Sequence, residues 1–286
     1  MTIKEIWNQV FNTLKSIENE REAATVSYYL LKHYTGLDKI NISLYPHKKI
    51  DSKTIAKIQN ALEKLKQHQP IQYIIGKVDF GGISINVNRD VLIPRPETEE
   101  LFYWLTTEHA DFKGKIIDLC TGSGCIAIAF AKKHPQAEVL GIDHSLKALK
   151  VAKENARLNN VNVAFECHDI LSREFREISF PTYDIIDGNP PYVRESEKKD
   201  MHPKVVNYEP SQALFVTDEQ PLIFYHAIFL WANRHLSPKG KLFIEINENL
   251  AKETMQLLQA FNFTTIELRY DMQNKARMIK AEKILD

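Results

Sequence analysis

The residues best equipped for chemistry are Asn189-Pro190-Pro191-Tyr192, which follow the apolar run Tyr183-Asp184-Ile185-Ile186 and the pair Asp187-Gly188. Asn189 offers a side-chain amide oxygen, and Pro190 offers a carbonyl beside a second proline that has no N–H to compete for it. Both oxygens can accept from one NH2 group, while the ring of Tyr192 can lie against the flat group that carries the nitrogen. The target that fits these residue types is a flat group whose NH2 nitrogen is conjugated with it. Its lone pair is delocalised and poorly nucleophilic, so a site that holds it in line with an electrophile works by positioning and electrostatics, without a strong base. Asn189, Pro190 and Tyr192 are therefore read as the catalytic set, and Pro191 joins them in binding the acceptor. A proline-rich turn with no chemistry is the competing reading.

An apolar run that ends in Asn and two prolines cannot go on pairing as a strand, because proline donates nothing and restricts the residue before it. The chain must leave a sheet here, at the carboxyl end of a parallel strand, where open α/β sheets bind ligands. A second stretch has the same character. Lys115-Ile116-Ile117-Asp118-Leu119 reads as a buried strand that enters the turn Cys120-Thr121-Gly122-Ser123-Gly124 and then an apolar helix, Cys125–Lys133. Glycines let backbone approach a ligand closely, and Gly122 to Ala127 satisfies the loose dinucleotide pattern G-x-G-x-x-A. A further strand, 137–143, ends in Asp143, placed to take both hydroxyls of a ribose. After a helix over 145–158 comes a strand over 163–167, which ends at His168-Asp169-Ile170, where Asp169 could accept from an adenine amino group. Capping a helix is the alternative task for Asp143 and for Asp169.

Around these motifs the spacing predicts helices over 3–17, 20–34 and 51–68, so residues 1–70 read as a small helical domain. From Pro70 the pattern changes to period two, and Gly81-Gly82 followed by Ile83, Ile85 and Val87 signals a hairpin. The hairpin and the stiff Leu92–Pro96 connector make a linker over 71–96, before a helix that opens near Glu97 and a domain over 97–286. The polar segment 193–218 reads as a long irregular loop. Helices over 221–236 and 249–260, a strand over 241–246 and a strand pair at 264–269 and 276–281 complete the α/β pattern. Lys+Arg and Asp+Glu each count 37, so no basic field draws in nucleic acid, and direct nucleic-acid binding is not expected. Met1–Ile6 lacks the features of a signal peptide and no run reaches membrane-spanning length, so the expectation is a cytoplasmic protein with no membrane association. The three cysteines, Cys120, Cys125 and Cys167, lack zinc spacing and read as small buried residues, and no metal site is expected.

The tetrapeptide resembles the Asn-Pro-Pro-Tyr motif of S-adenosylmethionine-dependent methyltransferases that alkylate amide or exocyclic amine nitrogens. Five stretches in order, Pro70–Gly76, Leu92–Glu99, Asp118–Gly124, Asn189–Tyr192 and Tyr208-Glu209-Pro210, resemble the release-factor glutamine methyltransferases of the HemK/PrmC family. The resemblance implies a helical N-terminal domain, a β-hairpin linker and a class I, Rossmann-like methyltransferase domain with a seven-stranded, mostly parallel sheet whose last strand is antiparallel. It also implies S-adenosyl-L-methionine as cofactor, with its methionine part on Cys120–Gly124, its ribose on Asp143 and its adenine by Asp169 and Ile170. Asn189 would border cofactor and acceptor alike. The family often has Gly in place of Cys120, and some members have Trp in place of Ile170. The implied substrate is the glutamine of the Gly-Gly-Gln motif in class 1 peptide release factors, methylated at N5 by an enzyme expected to be a monomer. An adenine-N6 nucleic-acid methyltransferase, a ribosomal-protein glutamine methyltransferase and an NAD-dependent oxidoreductase are the competing readings.

Overall fold

In the computed structural model, which describes residues 1–283, the first apolar stripe folds as α1 (Ile3–Leu14). Its start is closed by a capping box in which the Thr2 hydroxyl accepts from the Glu5 N–H and the Glu5 carboxylate accepts from the Thr2 N–H. α2 (Glu20–Thr35) follows and ends at Gly36, whose φ of 71° supplies the left-handed turn. Next come α3 (Lys39–Leu44), which buries no residue, and α4 (Ser52–Lys66). Ile6, Val10, Leu30, Leu31, Ile58 and Leu62 from three of these helices form one core. The period-two reading fails immediately after Pro70. Residues Ile71–Ile75 form α5, closed by Gly76, and Ile71, Ile74 and Ile75 pack on the helical core. These helices, Met1–Lys77, make one compact unit together with His202–Tyr208.

Glu18, His68 and His202 of this unit place ligand-type atoms within 4.8 Å of one another, a convergence that the sequence did not suggest. The Lys204 N–H donates to His202 Nδ1, which leaves the ring proton on Nε2, 3.5 Å from the Glu18 carboxylate. A neutral ring in that state has no lone pair for a metal at Nε2, and the pair reads as a polar contact.

The second unit is Val78–Met201 with the chain from Glu209 onward. The hairpin of β1 (Lys77–Phe80) and β2 (Ile83–Asn86) is tied to this unit, where Gly81 donates to Glu99 and Asn86 to Asn155. In order follow α6 (Pro96–Glu108), β3 (Lys115–Leu119), α7 (Cys125–Lys133), β4 (Glu138–Asp143), α8 (Leu146–Leu158), β5 (Ala164–Cys167), α9 (Arg173–Glu177) and β6 (Tyr183–Gly188). The segment expected as an irregular loop is structured. It holds β7 (Val193–Arg194), a 3-10 turn at Glu195–Asp200, α10 (Pro203–Tyr208) and β8 (Phe215–Val216), and β7 pairs with β8 in parallel. Local hydrogen bonds replace the missing apolar signal, since Glu197 accepts from Arg194, Asn247 and Asn249. The described residues continue with α11 (Ile223–His235), β9 (Leu236–Glu245), α12 (Ala251–Ala260), β10 (Phe263–Tyr270) and β11 (Ala276–Lys283).

The seven-stranded sheet runs β10-β11-β9-β6-β3-β4-β5, parallel except that β11 lies antiparallel between β9 and β10. The carboxyl ends of β3, β4, β5, β6 and β9 therefore share one edge. Among the described residues no helix is long and apolar enough to cross a membrane.

β6 and β3 approach closely where the site begins, with Gly188 opposite Leu119. A Cβ on Gly188 would lie 2.5 Å from the Leu119 carbonyl oxygen, a backbone atom that cannot step aside. Gly188→Ala is expected to destabilise the protein by about 1–3 kcal/mol, measured by urea unfolding. Unchanged stability would mean that the strands can part.

Candidate active site

Asn189 leaves β6 at this shared edge, and its orientation is set by two side chains from distant parts of the chain. The Thr98 hydroxyl, on the first turn of α6, donates to Glu245 Oε2 at 2.6 Å, and Asn189 Nδ2 donates to the same Thr98 oxygen at 3.0 Å. With its proton committed to a carboxylate, Thr98 can only accept from Asn189, so the amide NH2 faces Thr98 and the amide oxygen faces away. Among the described residues no donor reaches that oxygen. The other oxygen of Glu245 accepts from the Tyr192 hydroxyl at 2.8 Å. Asn247, just past the end of β9, donates to the Tyr192 carbonyl at 2.9 Å. The Glu245 carboxyl is raised above its ordinary value: burial pushes it up, and the bonds from Thr98 and Tyr192 and the charge of Arg277 offset this only in part. Burial, and then the neighbouring Glu245 charge, hold the Tyr192 phenol well above its ordinary value, so it stays protonated.

The connector before α6 is fixed as firmly. Glu209 is buried and accepts from the Ile93 N–H and, at 2.6 Å, from the Arg95 guanidinium. This holds Leu92 and Pro94 as one wall of a cleft whose other lining includes Thr98, Asp118, Cys120–Ser123 and Asn189. The space in this cleft is about 40 Å³.

The glycine turn sits at the end of β3. Gly122 has φ +55°, and a Cβ there would find only the Cys120 carbonyl, 4.0 Å away, so this glycine leaves room for a ligand. Gly124 serves packing, since its Cβ would meet Ile128 at 2.8 Å and Ala152 at 3.1 Å. Asn155 donates to the Ser123 carbonyl at 3.0 Å and Thr121 donates to Asp118 at 2.6 Å, which fix the rest of the turn. Cys120 takes φ +62°, a conformation natural to glycine. Burial pushes its thiol well up, so it is no nucleophile. The reading of the cysteines as uniformly buried is corrected here, because Cys120 is only half-buried and Cys167 is exposed at the end of the edge strand.

Asp143 is buried, and burial raises its carboxyl. It accepts from Gly122 N and from Ser145 N, tying β4 to the glycine turn, and the cap of α8 is Ser145. Asp169 is exposed and accepts from Leu171 N in a tight turn, while Ser172 caps the next helix. Ile170 is 5% exposed within the core and presents a ligand with little more than an edge. The structure thus gathers Asn189, Pro190, Tyr192, the glycine turn and Asp143 on one sheet edge.

Sequence reasoning missed Glu245, Asn247 and the tie between Thr98 and Asn189. A signal was present in Leu242-Phe243-Ile244-Glu245-Ile246, where one acid interrupts an apolar run. It missed a second acid as well. Asp187 is fully buried with neither oxygen hydrogen-bonded, and it lies in register with buried Asp118 on the adjacent strand.

Comparison with known proteins agrees with this arrangement. Residues 98–211 match the family description "Methyltransferase small domain" and residues 5–76 match "PrmC N-terminal domain". The release factor glutamine methyltransferase of Flavobacterium psychrophilum is 43% identical over 98% of this chain and 99% of its own. The chain belongs to the release factor glutamine methyltransferase family. That of Bacteroides thetaiotaomicron is 34% identical over 95% of this chain and 96% of its own. A methyltransferase structure from Pyrococcus furiosus shares the fold at 16% identity, with a TM-score of 0.53 over 82% of this chain and all of its own. The protein is an S-adenosylmethionine-dependent methyltransferase, and the residues present suit that cofactor: an open glycine turn, a buried acid at the next strand end and, on the lining of the cleft, an asparagine whose amide oxygen is uncommitted.

Burial, and then the charge of Asp118, raise the Asp187 carboxyl; burial likewise raises that of Asp118. Acids raised in the folded state stabilise it fully below their ordinary values, and this contribution is lost as pH rises through the raised ones. In the cofactor-free protein, Asp187→Asn is expected to melt about 3 °C or more above the wild type at pH 8, and closer to it near pH 5. Circular-dichroism melts at both values check this, and a variant less stable at pH 8 would refute it.

Proposed function

We propose that this protein transfers the methyl group of S-adenosylmethionine to the side-chain amide nitrogen, N5, of the glutamine in the Gly-Gly-Gln motif of class 1 peptide release factors. The observation that carries the reading is the Asn189 amide on the lining of the cleft, whose NH2 is committed to Thr98 and whose oxygen is left to accept. The names of the relatives support the choice of substrate. Bound S-adenosylmethionine supplies a methyl group activated by its sulfonium.

The chain's own residues do the rest by placement. Asn189 Oδ1 and the Pro190 carbonyl accept the two N–H bonds of the glutamine, which turns the face of the nitrogen toward the methyl group. Tyr192 is held through its hydroxyl by Glu245 and supports the flat amide. The nitrogen starts with two N–H bonds and ends with one, and the released proton leaves to water, since neither Asn189 nor Pro190 is basic enough to keep it. Asp143 takes the ribose, and the glycine turn from Cys120 to Gly124 takes the methionine end, with Gly122 the point of close approach. Adenine lies by Asp169 and the exposed edge of Ile170. The helical unit, residues 1–70 with its partners in α5 and α10, docks the release factor, and the enzyme works as a cytoplasmic monomer without binding nucleic acid itself. The match of residues 5–76 to a named N-terminal domain supports treating them as a unit of their own.

Asp143→Ala is expected to weaken S-adenosylmethionine binding by roughly 1.5–3 kcal/mol, read by calorimetry. Asn189→Ala is expected to lower kcat by about a hundredfold or more, with a much smaller change in cofactor affinity. The assay is methylation of a purified release factor, with mass spectrometry locating the methyl group. Methylation of adenine in DNA, or full activity of Asn189→Ala, would overturn the proposal.

A further inference from the structure

Asn189 can present either edge of its amide to the cleft, and only the oxygen edge can accept an acceptor's N–H. Nothing in Asn189 itself selects that edge. The selection comes from outside, along a chain of hydrogen bonds of fixed direction. Glu245 accepts from Thr98 at 2.6 Å, and Thr98 then accepts from Asn189 at 3.0 Å. Glu245 and Thr98 are both buried, so water cannot substitute for a lost link. Were the Thr98 proton turned toward Asn189 instead, the amide would flip and offer two donors to an acceptor group that also carries two donors.

We propose that Glu245 is a positioning residue that acts through Thr98 to fix the Asn189 amide with its oxygen toward the methyl acceptor, and that the same carboxylate sets the Tyr192 ring through its hydroxyl. One buried group thereby orders both side chains of the motif. The inference deepens the reading of the site given above and relies on it for the identity of the acceptor, but the orientation of Asn189 can be read without any acceptor.

The test compares Thr98→Val, which keeps shape and removes the hydroxyl, with Thr98→Ser, which keeps the hydroxyl, and adds Glu245→Met, which removes the carboxylate. Two readouts are taken: steady-state methylation of release factor, and the NMR order parameter of the Asn189 side-chain NH2 in the full-length protein without substrate. Thr98→Val is expected to lose kcat by roughly tenfold or more, with KM and cofactor Kd within about twofold. Its Asn189 NH2 is expected to become mobile. Thr98→Ser should keep both properties, and Glu245→Met should reproduce the losses of Thr98→Val. A rigid Asn189 amide in Thr98→Val, or equal losses in the Ser and Val variants, would overturn the relay, the second outcome pointing to packing alone. Wild-type kcat in Glu245→Met would remove the part given to the carboxylate. If Glu245→Met does not fold, the Thr98 pair decides. A wild type that methylates another acceptor, or none, speaks against the proposed substrate, and the NMR comparison still decides the relay.

Discussion

The active edge of this protein depends on one buried carboxylate being satisfied. Glu245 stands at the end of a strand whose preceding residues, Leu242, Phe243 and Ile244, are all core. A charge there is costly unless it is paired and hydrogen-bonded. Thr98 and Tyr192 supply the bonds, and Arg277 supplies a favourable field. These partners come from α6, from the turn after β6 and from β11, so satisfying the acid brings together the elements that make up the site. The requirement is structural at its origin, and the ordering of Asn189 follows from it.

Around that point the sheet works as a ruler. Parallel pairing of β9, β6, β3 and β4 in fixed register brings Asn247, Asn189, the glycine turn and Asp143 to one edge. The contact of Gly188 with the Leu119 carbonyl keeps the two central strands close where the motif starts. Glu209 does for the connector what Glu245 does for the motif, holding Ile93 and Arg95 through one buried carboxylate.

Much of this could be read before the structure. α7 begins and ends where its apolar run and the preceding glycine put it, and the strand before Asp143 stands where its alternation places it. What failed has physical reasons. α3 buries nothing and so carries no periodic stripe, while α5 is a single turn too short to separate from a strand by spacing. The residues from Val193 to Val216 are ordered by polar side chains such as Glu197, whose bonds leave no hydrophobic pattern. The start of β9 was hidden by Pro238-Lys239-Gly240, which reads as a turn although the strand passes through it with a shift of register against β6. The relay to Asn189 was illegible because its links are 147 and 91 residues apart. Asp187 received no role from the sequence, although it belongs to β6 and is fully buried.

The span of that first link bears on how the protein comes into being. A growing chain could close β3, α7 and β4 from neighbouring sequence, and with them the glycine turn, long before β9 is made. Asn189 would exist by then, with Thr98 beside it, but the carboxylate that directs the Thr98 proton arrives only with residue 245. Pairing across such a separation is slow to form and is paid for late in folding. During synthesis the chain therefore completes the glycine turn and Asp143 before it makes the buried acid to which Thr98 donates.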